Sequence, residues 1–176
     1  ENWARSKDEV GALMSLLLRY FASEIDELDE KNVRILILGD VAGLPAPQRD
    51  AVERAMARTK DNTGLKLNIA LNYGGRAELV HAMRLLAEDV QAGRLSPEAI
   101  DEDAISARLY TAGQPDPDLI IRPSGEQRIS NFLLWQGAYA EFVFMDVLWP
   151  DFTPGDLDRA IAEFQRRSRR FGGISS

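Results

Sequence analysis

Apolar residues recur every three or four positions along roughly the first thirty residues, which predicts a long helix with a wide apolar stripe. Ser6 and Glu9 have the spacing of a capping box, so the helix is expected to begin there. An acidic stretch at 26–30 ends the pattern. The stripe consists of Val10, Leu13, Met14, Leu17, Leu18, Phe21, Ile25 and Leu28.

Short apolar runs rich in β-branched residues predict buried strands farther along the chain. They lie at 33–38, 65–72, 119–121 and 142–145. Helical patterns separate them, and the last helix is expected to run from Pro154 to about Phe171. Strands that alternate with helices favour parallel pairing. The pattern therefore predicts an α/β fold with a central, mostly parallel sheet flanked by helices.

Composition narrows the class of protein. The 176 residues are 45% hydrophobic and 28% charged, as in an ordinary globular chain, and we expect a single domain over 1–176. The chain has no cysteine, which excludes disulfides, thiolate metal sites and a cysteine nucleophile. Its net charge of -7 disfavours nucleic-acid binding. No apolar stretch is long enough to span a bilayer, and we expect a cytoplasmic protein that can associate with a membrane surface.

Cationic side chains follow the third predicted strand. Arg122 comes directly after it, and Arg128 and Ser130 lie across a loop that contains Gly125. Ligands of α/β proteins bind at the carboxyl ends of strands, and arginine binds phosphate oxygens with two parallel hydrogen bonds. These residues suit a diphosphate. Surface arginines paired with acids such as Glu126 explain the same residues equally well.

Two further residues limit the chemistry. Glu141 opens the fourth predicted strand, where a carboxylate can hold Mg²⁺, although a solvent-facing acid is the simpler reading of that residue alone. His81 is the only histidine and lies in a helix between Val80 and Ala82, away from the polar clusters. A Ser-His-Asp hydrolase is therefore disfavoured.

Five segments, in order, resemble the motifs of the cis-prenyltransferase family, and most closely those of bacterial undecaprenyl diphosphate synthases. Residues 118–141 resemble D-L-x-I-R-x-x-G-E-x-R-x-S-N-F-L-L-W-Q followed by A-Y-x-E. Residues 1–5 match E-N-W-x-R, 72–76 match N-Y-G-G-R, 149–152 match W-P-D-F and 170–173 match R-x-G. Pro123 stands where the family usually has threonine. The acids at 101–103 and 116–118 do not form the DDxxD motif of trans-type prenyl synthases.

The resemblance implies an activity. Such an enzyme condenses isopentenyl diphosphate with an allylic diphosphate, farnesyl diphosphate, to a long undecaprenyl-type polyprenyl diphosphate for the cell-wall carrier lipid. It implies Mg²⁺ as cofactor, a homodimer, membrane contact through the lipid product and an apolar tunnel for the growing chain. The stripe on the first helix is a candidate tunnel wall, and ordinary core packing is the alternative.

The resemblance also implies roles for individual residues. Asn2 would take part in removing the proton during condensation, and Glu141 would help to hold Mg²⁺. Arg170 and Gly172 would lie near the active site of the neighbouring subunit. The residues expected to contact substrate are Glu1, Trp3, Arg5, Arg122, Arg128, Ile129, Ser130, Arg170 and Gly172. We further expect Arg122, Arg128 and Glu141 to converge on one magnesium–diphosphate pocket.

One motif of the family has no counterpart. D-G-N-G-R-W, whose aspartate binds Mg²⁺, lies upstream of E-N-W in family members. We therefore expect the chain to lack its N-terminal strand and diphosphate-binding loop, and we expect negligible activity from a molecule that begins at Glu1. Two alternatives stay open: a non-catalytic partner subunit of a prenyltransferase, and a Mg²⁺-dependent phosphohydrolase.

Overall fold

Helices and strands alternate within residues 7–167, the part of the chain that this computed structural model describes. The chain divides into two compact units, Glu1–Gly113 and Gln114–Ser176. The first contains α1 (Lys7–Glu30), β1 (Arg34–Leu38), α2 (Ala46–Arg58), β2 (Lys66–Ala70), α3 (Gly75–Gln91) and the short α4 (Glu102–Ser106). The second contains β3 (Leu119–Arg122), β4 (Glu141–Phe144) and α5 (Pro154–Arg166).

The apolar stripe of α1 supplies one side of the first unit's core. Phe21 is buried in a cluster with residues of β1 and α2, and Leu17 packs against that cluster. Burial of such side chains is the main favourable term in folding. Leu13, one turn earlier on the stripe, is 42% exposed, and Leu16, which lies beside the stripe, is 51% exposed. The stripe therefore packs into the core along its second half, and its first half is less covered, with Val10 and Met14 only partly buried.

The first strand pair shows why a glycine follows β1. β1 and β2 pair in parallel from Arg34–Lys66 to Leu38–Ala70. Gly39, the next residue, has a φ of 129°, and a Cβ atom there would lie 2.0 Å from the carbonyl oxygen of Leu71. Only glycine permits this backbone conformation and this close approach. The two chain segments thus leave the sheet side by side at its carboxyl edge.

The second unit is built on another parallel pair. β3 and β4 pair from Leu119–Glu141 to Arg122–Phe144. Ile120 and Val143 are buried, and so is Ala160 of α5. Thr153 and Asp156 form a reciprocal capping box at the start of α5. Parallel strands with flanking helices confirm the predicted α/β class, while the single domain over 1–176 stays a prediction.

The last helix is shorter than predicted. We expected it to reach about Phe171, but α5 ends at Arg166, and Arg167 has extended backbone with φ -81° and ψ 140°. The side chain of Arg167 bonds to β4, and these bonds fix the end of the helix. No helix within residues 7–167 has the length and apolar character needed to cross a bilayer.

Candidate active site

A tight loop follows β3 at the carboxyl edge of the second strand pair. The amide of Ser124 donates to the carbonyl of Val147 at 2.8 Å, and that of Gly125 donates to Met145 at 2.9 Å. Ser124 and Gly125 have positive φ values of 77° and 66°. The segment after β3 therefore runs beside the segment after β4, as expected for parallel strands whose carboxyl ends meet.

The structure brings two of the predicted anion-binding residues together in this loop. Nη2 of Arg122 lies 3.5 Å from Oγ of Ser130, and Ser130 has a positive φ of 50°. Nε of Arg122 is buried and has no acceptor among the described residues. A buried donor without a partner costs about 1–3 kcal/mol. An anionic ligand at this loop would supply the missing acceptor.

Arg128 is paired differently. Its guanidinium forms an ion pair with Glu126, and its side chain is 68% exposed. An exposed pair of this kind contributes little to stability, so Arg128 is free to change partners when an anion binds. Ile129 uses its carbonyl oxygen to accept a bond from the amide of Phe132 at 3.3 Å.

An acid that our sequence analysis missed lies at the same edge. A Cβ atom on Gly125 would lie 3.0 Å from Oδ1 of Asp146, so this carboxylate sits against the loop. Asp146 is exposed and follows β4 by two residues. The rule that singled out Arg122, which is the last residue of β3, applies equally to the carboxyl end of β4 and could have found Asp146.

Glu141 lies away from this loop. It pairs with Leu119 at the amino edge of β3–β4, whereas Arg122 pairs with Phe144 at the carboxyl edge. Three residues along a strand separate the two positions by about 10 Å. Arg122 and Glu141 thus lie at opposite edges of the strand pair, because Glu141 opens its strand and Arg122 closes its own, and their convergence on one pocket stays a prediction.

The partner of Glu141 is Arg167, to which the sequence patterns assigned no role. Nη1 of Arg167 donates to Oε2 of Glu141 at 2.9 Å and to the carbonyl of Phe142 at 2.8 Å. Nη2 donates to Glu163. The bond to Glu141, followed by the bond to Glu163, raises the pKa of Arg167. The four-residue spacing of Glu163 and Arg167 on a helix was the available signal.

A second polar cluster lies in the first unit. Glu78 is 1% exposed and accepts bonds from the hydroxyl of Tyr73 at 2.6 Å and the amide of Tyr110 at 2.9 Å. His81 stacks on Tyr110 with ring centroids 5.3 Å apart. Burial, followed by the charges of Asp40 and Glu78, raises the pKa of Tyr110. The ring stack gives His81 a packing role, but His81 lines the same cavity as Asp40 and Arg76 and so does not lie away from the polar residues, as we had expected.

The same cluster borders a cavity at the carboxyl edge of β1–β2. The cavity measures about 610 Å³ and is lined by Gly39, Asp40, Val41, Arg76, Ala77, Val80, His81, Arg84 and Tyr110. Nδ2 of the Asn72 side chain donates to the carbonyl of Asp40 at 2.9 Å, so the segments that follow β1 and β2 are tied together. The glycines at 74 and 75 begin α3 directly afterwards, which fits a tight packing turn.

The residues of the second unit can accommodate Mg²⁺ with a single protein carboxylate. Residues 7–167 contain no group of three or more acids or histidines arranged to hold a metal ion. Mg²⁺ commonly takes one or two carboxylates and completes its octahedron with water and substrate phosphates. The half-buried Glu141 fits that donor set.

The other predicted site residues, Glu1, Asn2, Trp3, Arg5, Arg170 and Gly172, lie outside the described part of the chain.

Comparisons with known proteins cover nearly the whole chain. Residues 1–172 match the profile of a family described as "Putative undecaprenyl diphosphate synthase". An isoprenyl transferase of Clostridium perfringens is 54% identical over 174 residues, which are 99% of this chain and 69% of that protein. One from Geobacillus kaustophilus is 52% identical over 176 residues, 100% of this chain and 68% of that protein.

Solved structures show the same likeness. Lavandulyl diphosphate synthase from Lavandula x intermedia, crystallised with dimethylallyl diphosphate, superposes with a TM-score of 0.94 at 39% identity. The match covers 98% of this chain and 75% of that one. A "probable undecaprenyl diphosphate synthase" from Campylobacter jejuni gives a TM-score of 0.84 at 34% identity, over 98% of this chain and 78% of that one.

Proposed function

The chain belongs to the undecaprenyl diphosphate synthase family, and we propose that it condenses isopentenyl diphosphate with farnesyl diphosphate. It is a prenyltransferase that elongates isoprenoid chains with cis double bonds. The proposed product is an undecaprenyl-type diphosphate, the precursor of a cell-wall carrier lipid. The substrate class follows from the family, and the assignment of residues follows from the loop after β3.

One observation carries the proposed diphosphate site. Arg122 and Ser130 lie together at the carboxyl edge of β3, and a buried nitrogen of Arg122 lacks an acceptor among the described residues. Arg128, across the same loop, is exposed and only loosely paired. A diphosphate offers enough oxygens to accept from both guanidinium groups and from the hydroxyl. We assign this loop, with the backbone of Ile129, to isopentenyl diphosphate.

In the proposed reaction, the double bond of isopentenyl diphosphate attacks the first carbon of the allylic diphosphate. The bond from that carbon to the diphosphate oxygen breaks, and the diphosphate leaves with the electron pair. A proton then leaves the new chain and restores a double bond, a step that we assign to the neighbourhood of Asn2. Arg122, Arg128 and Ser130 orient the nucleophile by holding its diphosphate.

We assign Mg²⁺ to Glu141. When bound, the ion would offset the negative charge on the diphosphates. The side chain of Glu141 is 30% exposed, which leaves its carboxylate accessible to an ion and to water. The roles expected of Glu1, Trp3, Arg5, Arg170 and Gly172 stay predictions.

The first half of α1 is the proposed wall for the growing chain. An open groove of about 410 Å³ lies along one face of this helix, where Leu13 and Leu16 are flanked by the charged Glu9 and Arg19. Phe21 and Leu17 belong to the core or pack against it, so they are less suited to contact a mobile lipid. An apolar product needs apolar side chains along its path, and Leu13 and Leu16 offer them without disturbing the core.

A homodimer is proposed to complete the site. Large apolar side chains are exposed in the second unit, namely Phe144, Leu148, Trp149, Leu157 and Ile161. Exposed apolar surface on this scale is typical of association sites. Because Glu141 and Arg122 lie at opposite edges of one strand pair, we propose that each site combines Arg122 of one copy with Glu141 of the second copy.

The reaction is tested with the full-length protein, radiolabelled isopentenyl diphosphate and farnesyl diphosphate. The expected result is label in a butanol-extractable polyprenyl diphosphate that requires both substrates. If the folded full-length protein gives no label in the butanol extract, the proposed reaction is refuted. Release of diphosphate from farnesyl diphosphate alone would instead favour a phosphohydrolase.

A further inference from the structure

Arg167 joins the end of α5 to the start of β4 through three acceptors. Its guanidinium donates to Oε2 of Glu141, to the carbonyl of Phe142 and to Glu163. We propose that Arg167 is a positioning residue, which holds Oε2 of Glu141 so that this carboxylate binds a divalent cation through its other oxygen. The inference rests on the proposed metal role of Glu141 and adds a residue to which no role is yet assigned.

The position of Arg167 does not depend on Glu141. Its backbone amide donates to the carbonyl of Phe164 at 3.0 Å, which ties it to the last turn of α5. Its side chain is 31% exposed and bonds to the backbone of β4 as well as to Glu163. Two anchors besides Glu141 therefore keep the guanidinium in place. A fixed donor can select one orientation of a flexible carboxylate.

The charges of the cluster still favour a cation. Arg167 contacts two carboxylates, Glu141 and Glu163, so the three side chains together carry one negative charge. An isolated pair of Arg167 and Glu141 would be neutral and would attract a cation less. Glu163 thus offsets the positive charge that Arg167 brings to the carboxylate.

Hydrogen bonds to a metal-binding carboxylate commonly strengthen metal binding, because they fix the orientation of the ligand. Loss of such a partner weakens metal affinity by about 10- to 100-fold. If Arg167 instead occupied the carboxylate oxygen that the cation needs, removal of the Arg167 side chain would tighten metal binding. The sign of the change therefore decides between a positioning residue and a competitor.

The test measures Mn²⁺ binding to the full-length protein by electron paramagnetic resonance, with inorganic pyrophosphate present. We expect Arg167→Gln to raise the Kd for Mn²⁺ by about 10- to 100-fold. Arg167→Lys, which keeps the charge and one donor, should have a smaller effect. Arg166→Gln is the matched control, since Arg166 is the exposed neighbour on the same helix, and it should leave the Kd unchanged. Circular dichroism verifies that each variant is folded.

Glu141→Gln separates this inference from the proposed function. If that variant weakens Mn²⁺ binding and Arg167→Gln does not, Glu141 is a ligand but Arg167 does not position it, and the inference is overturned. Tighter binding in Arg167→Gln also overturns it. If Glu141→Gln leaves Mn²⁺ binding unchanged, the proposed metal role is wrong as well. Should Arg167→Gln fail to fold, Arg167→Met, which keeps the length of the side chain but has no donor, takes its place, and an unchanged Kd in that variant rejects the inference.

Discussion

The guanidinium of Arg122 is placed by the strand that carries it, yet its buried Nε has no acceptor among the described residues. Native proteins rarely leave a buried donor unsatisfied without a functional reason. The left-handed backbone at Ser124, Gly125 and Ser130 shapes the loop around the same side chain. The unsatisfied Nε of Arg122 thus indicates a binding site whose ligand would provide the acceptor.

Arg128 provides a test at the residue scale. Arg128→Ala should weaken binding of isopentenyl diphosphate by roughly 10- to 100-fold, because a charge-assisted bond worth about 1.5–3 kcal/mol is lost. Isothermal titration of the full-length protein measures the affinity. Glu126→Gln is the matched control, since it removes the ion-pair partner of Arg128 and should not weaken binding. Unchanged affinity in Arg128→Ala would show that Arg128 is only a surface charge.

Gly39 provides a second test. Gly39→Ala should destabilise the fold by more than about 1 kcal/mol, because the new Cβ atom would meet the carbonyl of Leu71 at 2.0 Å and φ is 129°. Gly11→Ala, within α1 and with open space around it, should instead stabilise by about 0.5–1 kcal/mol. Urea unfolding gives both values. Equal midpoints for the two variants would contradict the steric explanation.

At the scale of elements, α5 has two different faces. Ala160 is buried, while Leu157 and Ile161 are about two-fifths exposed at 42% and 38%. The capping box of Thr153 and Asp156 fixes where the helix begins, and the bonds of Arg167 to β4 fix where it ends. One helix therefore packs on its own unit and also presents an apolar face outward.

The capping box makes the stability of α5 depend on pH. Bonds from the hydroxyl and then the amide of Thr153 lower the pKa of Asp156 below its ordinary value of 3.8. The carboxylate form therefore stabilises the folded state above pH 3.8, and this contribution is lost as the pH falls through the lowered pKa.

We expect Asp156→Asn to lower the urea midpoint at pH 7, and the difference from wild type should shrink as the pH falls below 4. Thr153→Ala should cost about 1 kcal/mol at neutral pH. Asp158→Asn, an exposed acid on the same helix, is the control and should change the midpoint little. A difference that stays constant from pH 7 to pH 3 would argue against the carboxylate bonds as its cause.

At the scale of the whole molecule, each unit carries its own parallel strand pair, and each pair places polar residues at its carboxyl edge. The proposed site needs Arg122 from the carboxyl edge and Glu141 from the amino edge. In the proposed homodimer, a second copy would supply the missing edge without any change in the fold, so that activity would depend on association.

Leu157→Glu should dissociate the homodimer, because it places a charge on the exposed apolar face of α5. Sedimentation equilibrium of the full-length protein should give the mass of a dimer for wild type and of a monomer for the variant. Leu65→Glu, in the first unit at a side chain that is 69% exposed, is the control and should stay dimeric. A wild-type protein that sediments as a monomer would reject the proposed dimer.

Mixing two impaired variants, assayed at an isopentenyl diphosphate concentration well below the Kd of Arg128→Ala, tests whether sites are shared. Arg128→Ala and Glu141→Gln, unfolded and refolded together in equal amounts, should recover about one quarter of wild-type activity. Half of the dimers would be mixed, and one of the two sites in each mixed dimer would have both residues intact. Either variant refolded alone should stay well below that level. No recovery in the mixture would place both residues in a site formed by one copy.

Several features were predictable from local patterns. The α1 stripe, the four strands and the start of α5 follow from side-chain periodicity and capping signals, which depend on neighbouring residues only. Arg122 and Ser130 were predicted because they follow a strand. The end of α5 and the role of Arg167 were not, since bonds to residues far along the chain decide them.

The sequence by itself determined the alternation of helices and strands, the likeness to the family and the residue types available for binding a diphosphate. Only the tertiary structure decided which of these residues meet. Arg122 reaches Ser130, whereas Glu141 lies at the other edge and binds Arg167. The physical reason is strand register. Parallel pairing sets Leu119 beside Glu141 and Arg122 beside Phe144, and that pairing depends on contacts between segments some twenty residues apart.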